Sequence, residues 1–247
     1  MPSRFFSYKT KNLVQYLVRD SVYRRTSDLL SLNTDPNYVK LYCEPFPGRL
    51  KDFKKAKNPV WKFFYFSKFI RMPLLISNDV EINLQFIEKE ERYTFIKEFW
   101  EAGFDYTKTK RYHTFKKLIE KGKTIHKKNK FALQSDQDLK EYFSEYEKLL
   151  ISMNKNGYDV NIDQDDILIW IGPNGELIKC TGGRHRFAAS RVTGISNVPL
   201  QIKYIHTDWI RSQMKYSNSA TDQIRTEDIR SALKKVRDLY NHQDEVD

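Results

Sequence analysis

The chain has 247 residues, 40% hydrophobic and 14% aromatic, which is enough apolar mass for a packed core and too much for wholesale disorder. A net charge of +11 favours an anionic partner, and charge alone does not choose among nucleic acid, nucleotide, phosphorylated substrate and acidic membrane surface. Cys43 and Cys180 are the two cysteines, so there is no disulfide framework and no CxxC pair for structural zinc.

In chain order, Leu13, Val14, Leu17, Val18, Val22, Leu29 and Leu30 keep helical spacing and predict a helix over 10–32, stopped at Asn33-Thr34-Asp35-Pro36. Polar residues recur through Arg25, leaving no apolar core of signal-peptide length. The longest apolar run, Val60 to Ile76, is broken by Lys62, Lys68, Arg71 and Pro73 and is not expected to span a bilayer. The expectation is a cytoplasmic protein without a membrane span. Tyr38 to Cys43 alternates as a short strand. Arg49 to Lys57 is a basic run, and Trp61 to Phe69 reads equally as strand or helix. Phe86, Ile87, Phe95, Ile96, Phe99 and Trp100 predict a helix over 84–102 that Gly103 ends. Lys108 to Lys130 carries ten Lys or Arg against the single acid Glu120, with Tyr112, His113, Phe115 and His126 interleaved. It reads either as a solvated helical face or as an anion-facing surface.

The pattern sharpens after residue 131. Asp136 or Asp138 is expected to cap a helix through Tyr142, Phe143, Tyr146, Leu149, Leu150 and Met153, ended by Asn156-Gly157. Ile167 to Ile171 has buried-strand length, Pro173-Asn174-Gly175 is a turn, and Leu177 to Cys180 is the returning strand. A helix over Arg184 to Val192, a third strand over Val198 to Ile205 and an amphipathic helix over Thr226 to Tyr240 complete the chain.

Chemistry concentrates in Thr181-Gly182-Gly183-Arg184-His185-Arg186, between a strand and a helix. Two glycines let the backbone turn tightly and approach a ligand, and the helix start offers unpaired N–H groups at its positive dipole end. Arg184 and Arg186 can add bidentate contacts to phosphate oxygens, and His185 can exchange a proton near neutral pH. The competing reading is an ordinary turn with surface arginines. Neither GxxxxGK[ST] nor GxGxxG is present, so P-loop and Rossmann sites are not expected. His206 and Asp208 follow the third strand, where open sheets often place ligand contacts. His206 is expected to work with His185 as general acid or base, with Asp208 orienting it. The alternative is a strand end with Trp209 in the core.

The run Met153-Asn154-Lys155-Asn156-Gly157, a strand, the glycine turn with His185-Arg186, Ala188-Ala189 and Gly194-Ile195-Ser196-Asn197-Val198-Pro199 resembles the ParB/sulfiredoxin superfamily. The resemblance covers about 134–209, under a third of the chain. It implies an α+β fold: a ParB/sulfiredoxin-like small mixed sheet with helices, joined by a mostly helical, aromatic-rich N-terminal part. The domain division expected is 1–130, 131–210 and 211–247. In members of the family the turn cradles nucleotide phosphates, which by similarity makes Thr181, Gly182, Gly183, Arg184, His185 and Arg186 the nucleotide- or phosphate-binding residues.

Sulfiredoxins carry a reactive cysteine where Arg184 stands, and partition proteins continue into a helix-turn-helix, so neither activity is expected. The family's kinases usually place an aspartate where Gly182 stands, so a catalytic carboxylate must come from elsewhere; Asp159, Asp163, Asp165, Asp166 and Glu176 are near in sequence, and most of them read as solvated loop acids. The function implied is a nucleotide-dependent kinase acting on a small anionic or hydroxyl-bearing metabolite or sugar, with ATP, ADP or CTP and Mg2+ as cofactors. The catalytic residues expected are His185, His206 and Asp208, with no metal ligand assigned. Two alternatives stay open, a nucleic-acid-associated nucleotide switch or nuclease and a non-catalytic nucleotide-sensing module.

Overall fold

Residues 25–43, 74–76, 84–126, 132–159, 166–214 and 224–241 are described by the computed structural model. Among them, six helices and nine strands form a mixed α+β architecture around a seven-stranded sheet. The strands are β1 (Ser31–Thr34), β2 (Leu41–Cys43), β3 (Leu75–Ile76), β4 (Leu84–Phe86), β5 (Ile125–His126), β6 (Ala132–Leu133), β7 (Ile167–Ile171), β8 (Leu177–Lys179) and β9 (Val198–His206). The helices are α1 (Glu91–Glu101), α2 (Lys110–Glu120), α3 (Asp136–Asn156), α4 (Arg184–Val192), α5 (Thr207–Gln213) and α6 (Thr226–Asn241).

The sheet order is β1-β9-β7-β8-β2-β4, with β3 also pairing β9, while β5 and β6 form a separate two-stranded ribbon. β7 lies between β8, antiparallel, and β9, parallel. A central strand has both faces covered, which is why its sequence is the unbroken apolar run ILIWI. The hairpin closes through the expected turn, where the Gly172 N–H donates to the Glu176 carbonyl at 2.9 Å.

Three findings depart from the sequence expectations. First, the part before 130, expected to be mostly helical with one strand over 38–43, carries more strands than that. The expected strand is present as β2, and β1, β3 and β4 join it in the same sheet as β7, β8 and β9. The helix expected over 10–32 ends differently within the described residues: Ser27–Leu29 is a 3-10 turn and Ser31–Thr34 a strand antiparallel to β9. Leu32 and Thr34 point inward at period two, and tertiary pairing overrides the helical spacing. Second, the expected helix over 84–102 begins as strand β4 paired with β2 and becomes helical at Glu91. Third, α3 is capped by Ser135, whose Oγ accepts from the Asp138 N–H while Asp138 accepts in return from the Ser135 N–H. Residues 10–24, 49–57, 61–69 and 127–130, for which readings were made above, lie outside the described residues.

Two cores meet on α4. Phe187 faces the sheet core with Ile167, Ile169, Leu200 and Ile202. Ala188 and Ala189 face an aromatic core with Phe95, Phe99, Phe143 and the helices α1 and α3. The small alanines therefore serve helix packing. Burying Phe187 stabilises by about 2–3 kcal/mol and pins α4 to the strand it follows.

Candidate functional site

The turn between β8 and α4 sits at the end of the sheet where β7 begins. Gly182 has φ 124 and Gly183 φ 58, both in the left-handed region that favours glycine. A Cβ on Gly183 would stand 2.8 Å from the Asp166 carbonyl and 2.9 Å from Ile167 Cα. One on Gly182 would stand 2.6 Å from the Leu168 side chain. The glycine pair is thus required by packing of the turn onto the start of β7, as well as by its dihedral angles.

Gly183 caps α4 with no side-chain hydrogen bond, so the first N–H groups of the helix lack intrahelical partners. Among the described residues, no acceptor takes a hydrogen bond from the backbone N–H of Thr181, Gly182 or Gly183. All three residues are half-buried. Together these donors make a short stretch of positive backbone partial charge.

The cationic side chains fan out around the helix, as successive residues must at about 100° per step. Arg184 turns toward the N-terminal strands. Its Nη1 donates to Tyr42 Oη at 2.9 Å and stands 3.7 Å from Glu90 Oε1. Glu90 is buried and also accepts from the N–H groups of Arg92 and Tyr93, capping α1. His185 turns toward α3, with Nε2 3.4 Å from Tyr146 Oη and the two rings edge to face at 5.0 Å. Tyr146 Oη is in turn 3.1 Å from Tyr142 Oη. Burial, chiefly, pushes the Tyr146 phenol above its ordinary range, so it stays protonated. Arg186 lies 4.2 Å over the Tyr158 ring and donates to the Asp159 carbonyl at 2.6 Å. Arg184 and Arg186 thus engage different elements, Arg184 the N-terminal strand β2 and Arg186 the segment after α3.

Sequence reasoning missed Lys179. It is 1% exposed, directly beneath the turn, and its Nζ donates to the carbonyls of Leu168 (3.1 Å), Cys180 and Gly182. Burial, the largest influence, lowers its pKa to about 8, with the neighbouring Arg184 adding to the effect. A single lysine in the apolar run Leu177–Cys180 was the available signal. Cys180 is buried, its thiol pushed up by burial, in keeping with a core residue.

His206 and Asp208 lie elsewhere. Gly183 packs on Ile167, and Ile167 is the register partner of Leu200. Six further residues of β9, at about 3.3 Å each, put His206 roughly 20 Å beyond that level. The expected partnership of His206 with His185 is therefore not formed. His206 instead caps α5, its Nδ1 accepting from the Asp208 N–H at 3.2 Å, and it is buried. Asp208 pairs with Arg211 at 3.3 Å. Trp209 packs against Gly175 at the far hairpin turn and donates to the Ala232 carbonyl. Glu176, folded over Gly172, shares that far end. Of the acidic residues named from the sequence, Asp166 meets Gly183 and Asp159 meets Arg186 through their backbone carbonyls, and Asp163 and Asp165 lie outside the described residues.

Much of the basic α2 segment is ion-paired: Lys108 with Asp105, Lys110 with Glu98, Arg111 with Glu91 and Lys116 with Asp136. Among the described residues there is no cluster of three His, Cys, Asp or Glu side chains placed to hold a metal ion, and no helix long and apolar enough to cross a membrane. Comparison with protein-family models, curated proteins and solved structures gave no match for this chain.

Proposed function

We propose that the chain binds nucleotide phosphates at the β8–α4 turn, in the manner of a ParB/sulfiredoxin-like domain, and transfers a phosphoryl group to a small hydroxyl-bearing acceptor. One observation carries the reading. Three consecutive backbone N–H groups without acceptors among the described residues run into a helix start that has no side-chain cap, over a buried ammonium and beside Arg184. Such a surface complements phosphate oxygens through oriented donors, fixed positive charge and the helix dipole. The order hairpin, glycine turn, helix, strand supports the family resemblance.

His185, in the first turn of α4, accepts the acceptor's proton in this reading, a role suited to imidazole near neutral pH. A divalent ion such as Mg2+ would be held mainly through the nucleotide's own phosphates. Bound there, it would neutralise charge on the transferring group.

A second reading, nucleotide sensing without turnover, draws on the separation of His206, Asp208 and Glu176 from the turn, which leaves few acid–base groups at the site. Nucleotide product analysis with ATP, ADP, CTP and GTP in Mg2+, over a panel of sugars and hydroxyl metabolites, distinguishes the two. Acceptor-dependent release of the shortened nucleotide supports transfer. Binding without any product over the panel supports sensing.

A further inference from the structure

We infer that Lys179 is the positioning residue of the phosphate site: from beneath the turn its ammonium holds the Cys180 and Gly182 carbonyls inward, and so aims the Thr181 and Gly183 N–H groups outward at the anion. The inference rests on the phosphate-binding reading above and names the group that organises it.

The argument is geometric. A trans peptide is planar, with its C=O and the next residue's N–H pointing in opposite directions. Lys179 Nζ donates to the carbonyls of Cys180 and Gly182. The N–H groups across those two peptide bonds belong to Thr181 and Gly183, and both must leave the turn on the side away from the ammonium. The ammonium is sealed below, with Lys179 1% exposed, whereas Thr181 and Gly183 are half-buried at the surface. The third donation, to Leu168, ties the same group to β7, against which Gly182 packs. One side chain thereby fixes two peptide planes of the turn and its seating on the sheet. It also places a full positive charge behind donors that carry only partial charge, strengthening an anion's attraction in a region of low dielectric.

The cradle needs the charged form, because an ammonium offers three protons to three carbonyls and a neutral amine two. The charged and titratable groups facing Lys179 are its neighbour Cys180, Arg184 from α4, Glu90 from the start of α1 and Lys203 from β9. Tyr42, its register partner on β2, is bound to Arg184. With burial the dominant influence, the ammonium loses its proton at about pH 8. Anion affinity should then fall across a range in which the backbone donors and arginines do not titrate.

Two measurements on the full chain test this. Without ligand, the amide resonances of Thr181 and Gly183 are followed by NMR from pH 7 to 9.5. A shared inflection near pH 8 that is absent in Lys179→Met is expected. No inflection in the wild type, or the same inflection in the variant, overturns the inference, and the wild-type arm decides even if the variant does not fold. With Mg-ATP as probe, wild-type affinity should fall roughly tenfold across the same range, while folded Lys179→Met binds about tenfold more weakly at pH 7 with a flat profile. A folded variant with wild-type affinity and pH profile overturns the role. If the wild type binds neither Mg-ATP nor inorganic phosphate, the phosphate-site reading itself falls, and the ligand-free titration still reports separately whether Lys179 sets the turn.

Discussion

Arg184 Nη1 donates a 2.9 Å hydrogen bond to the hydroxyl of Tyr42, 142 positions earlier in the chain. Tyr42 is the register partner of Lys179, so the strand that holds Arg184 lies beside the one carrying the buried ammonium. An N-terminal strand thus sets the pose of a cation at a C-terminal turn. Tyr42→Phe keeps the ring and removes the acceptor. Mg-ATP affinity should fall roughly threefold to tenfold, from the loss of a partly exposed hydrogen bond to a charged group, with Tm shifted by about 4 °C or less. Unchanged affinity would show that Arg184 does not act from this pose.

Gly183→Ala should destabilise the protein by about 2–3 kcal/mol in denaturant unfolding, more than the roughly 1 kcal/mol cost of a left-handed alanine alone. The excess comes from the added methyl meeting the Asp166 carbonyl and Ile167 Cα, backbone atoms that do not move independently of β7. A loss below about 0.5 kcal/mol would mean that the turn is not seated on β7 as described.

His206→Ala should cost about 1 kcal/mol of stability through loss of the α5 cap, and His206→Asn, which retains a capping acceptor, less. Neither should change nucleotide affinity at the turn, given the separation along β9. A tenfold weaker binding constant in a folded His206→Asn protein would contradict that separation.

Burial of Lys179 also shapes stability against pH. Its folded pKa, about 8, lies below its ordinary value of 10.5, so between these pH values the unfolded chain binds more protons and stability rises with pH. The contribution is complete above about 10.5 and lost as pH falls through about 8. Relative to Lys179→Met, the wild type should gain on the order of 3 kcal/mol across that window. Parallel unfolding free energies of the two proteins from pH 7.5 to 10 would count against a buried, depressed lysine.

The legible and illegible parts of the chain differ in kind. ILIWI, Pro173-Asn174-Gly175, Gly182-Gly183 and Thr193-Gly194 each obey a local rule, and β7, the hairpin turn and α4 fall where those rules put them. β1 and β4 did not announce themselves, because each takes its strand identity from a partner far away in sequence, β9 and β2 respectively. Leu29, Leu30 and Leu32 satisfy a helical spacing and an inward-facing strand end almost equally well. Glu90 is a buried helix cap outside the residue types favoured there, made possible by its position beside Arg184. The site was legible as a turn but not as a structure. Sequence adjacency suggested that Arg184, His185 and Arg186 act together, whereas helical rotation sends each to a different neighbour. His206 was placed beside His185 by the general habit of strand ends, and the parallel register of β7 and β9 puts it at the other end of the sheet.

The most direct test of phosphate binding at the turn is calorimetric titration of Mg-ATP, ADP, CTP and GTP into the wild type and into Arg184→Ala/His185→Ala, with both proteins shown to be folded by circular dichroism. The account predicts saturable one-to-one binding of at least one nucleotide by the wild type and a loss of tenfold or more in the double variant. Equal affinities in the two proteins, or no binding by the wild type, would contradict it and leave the turn a structural joint between β8 and α4.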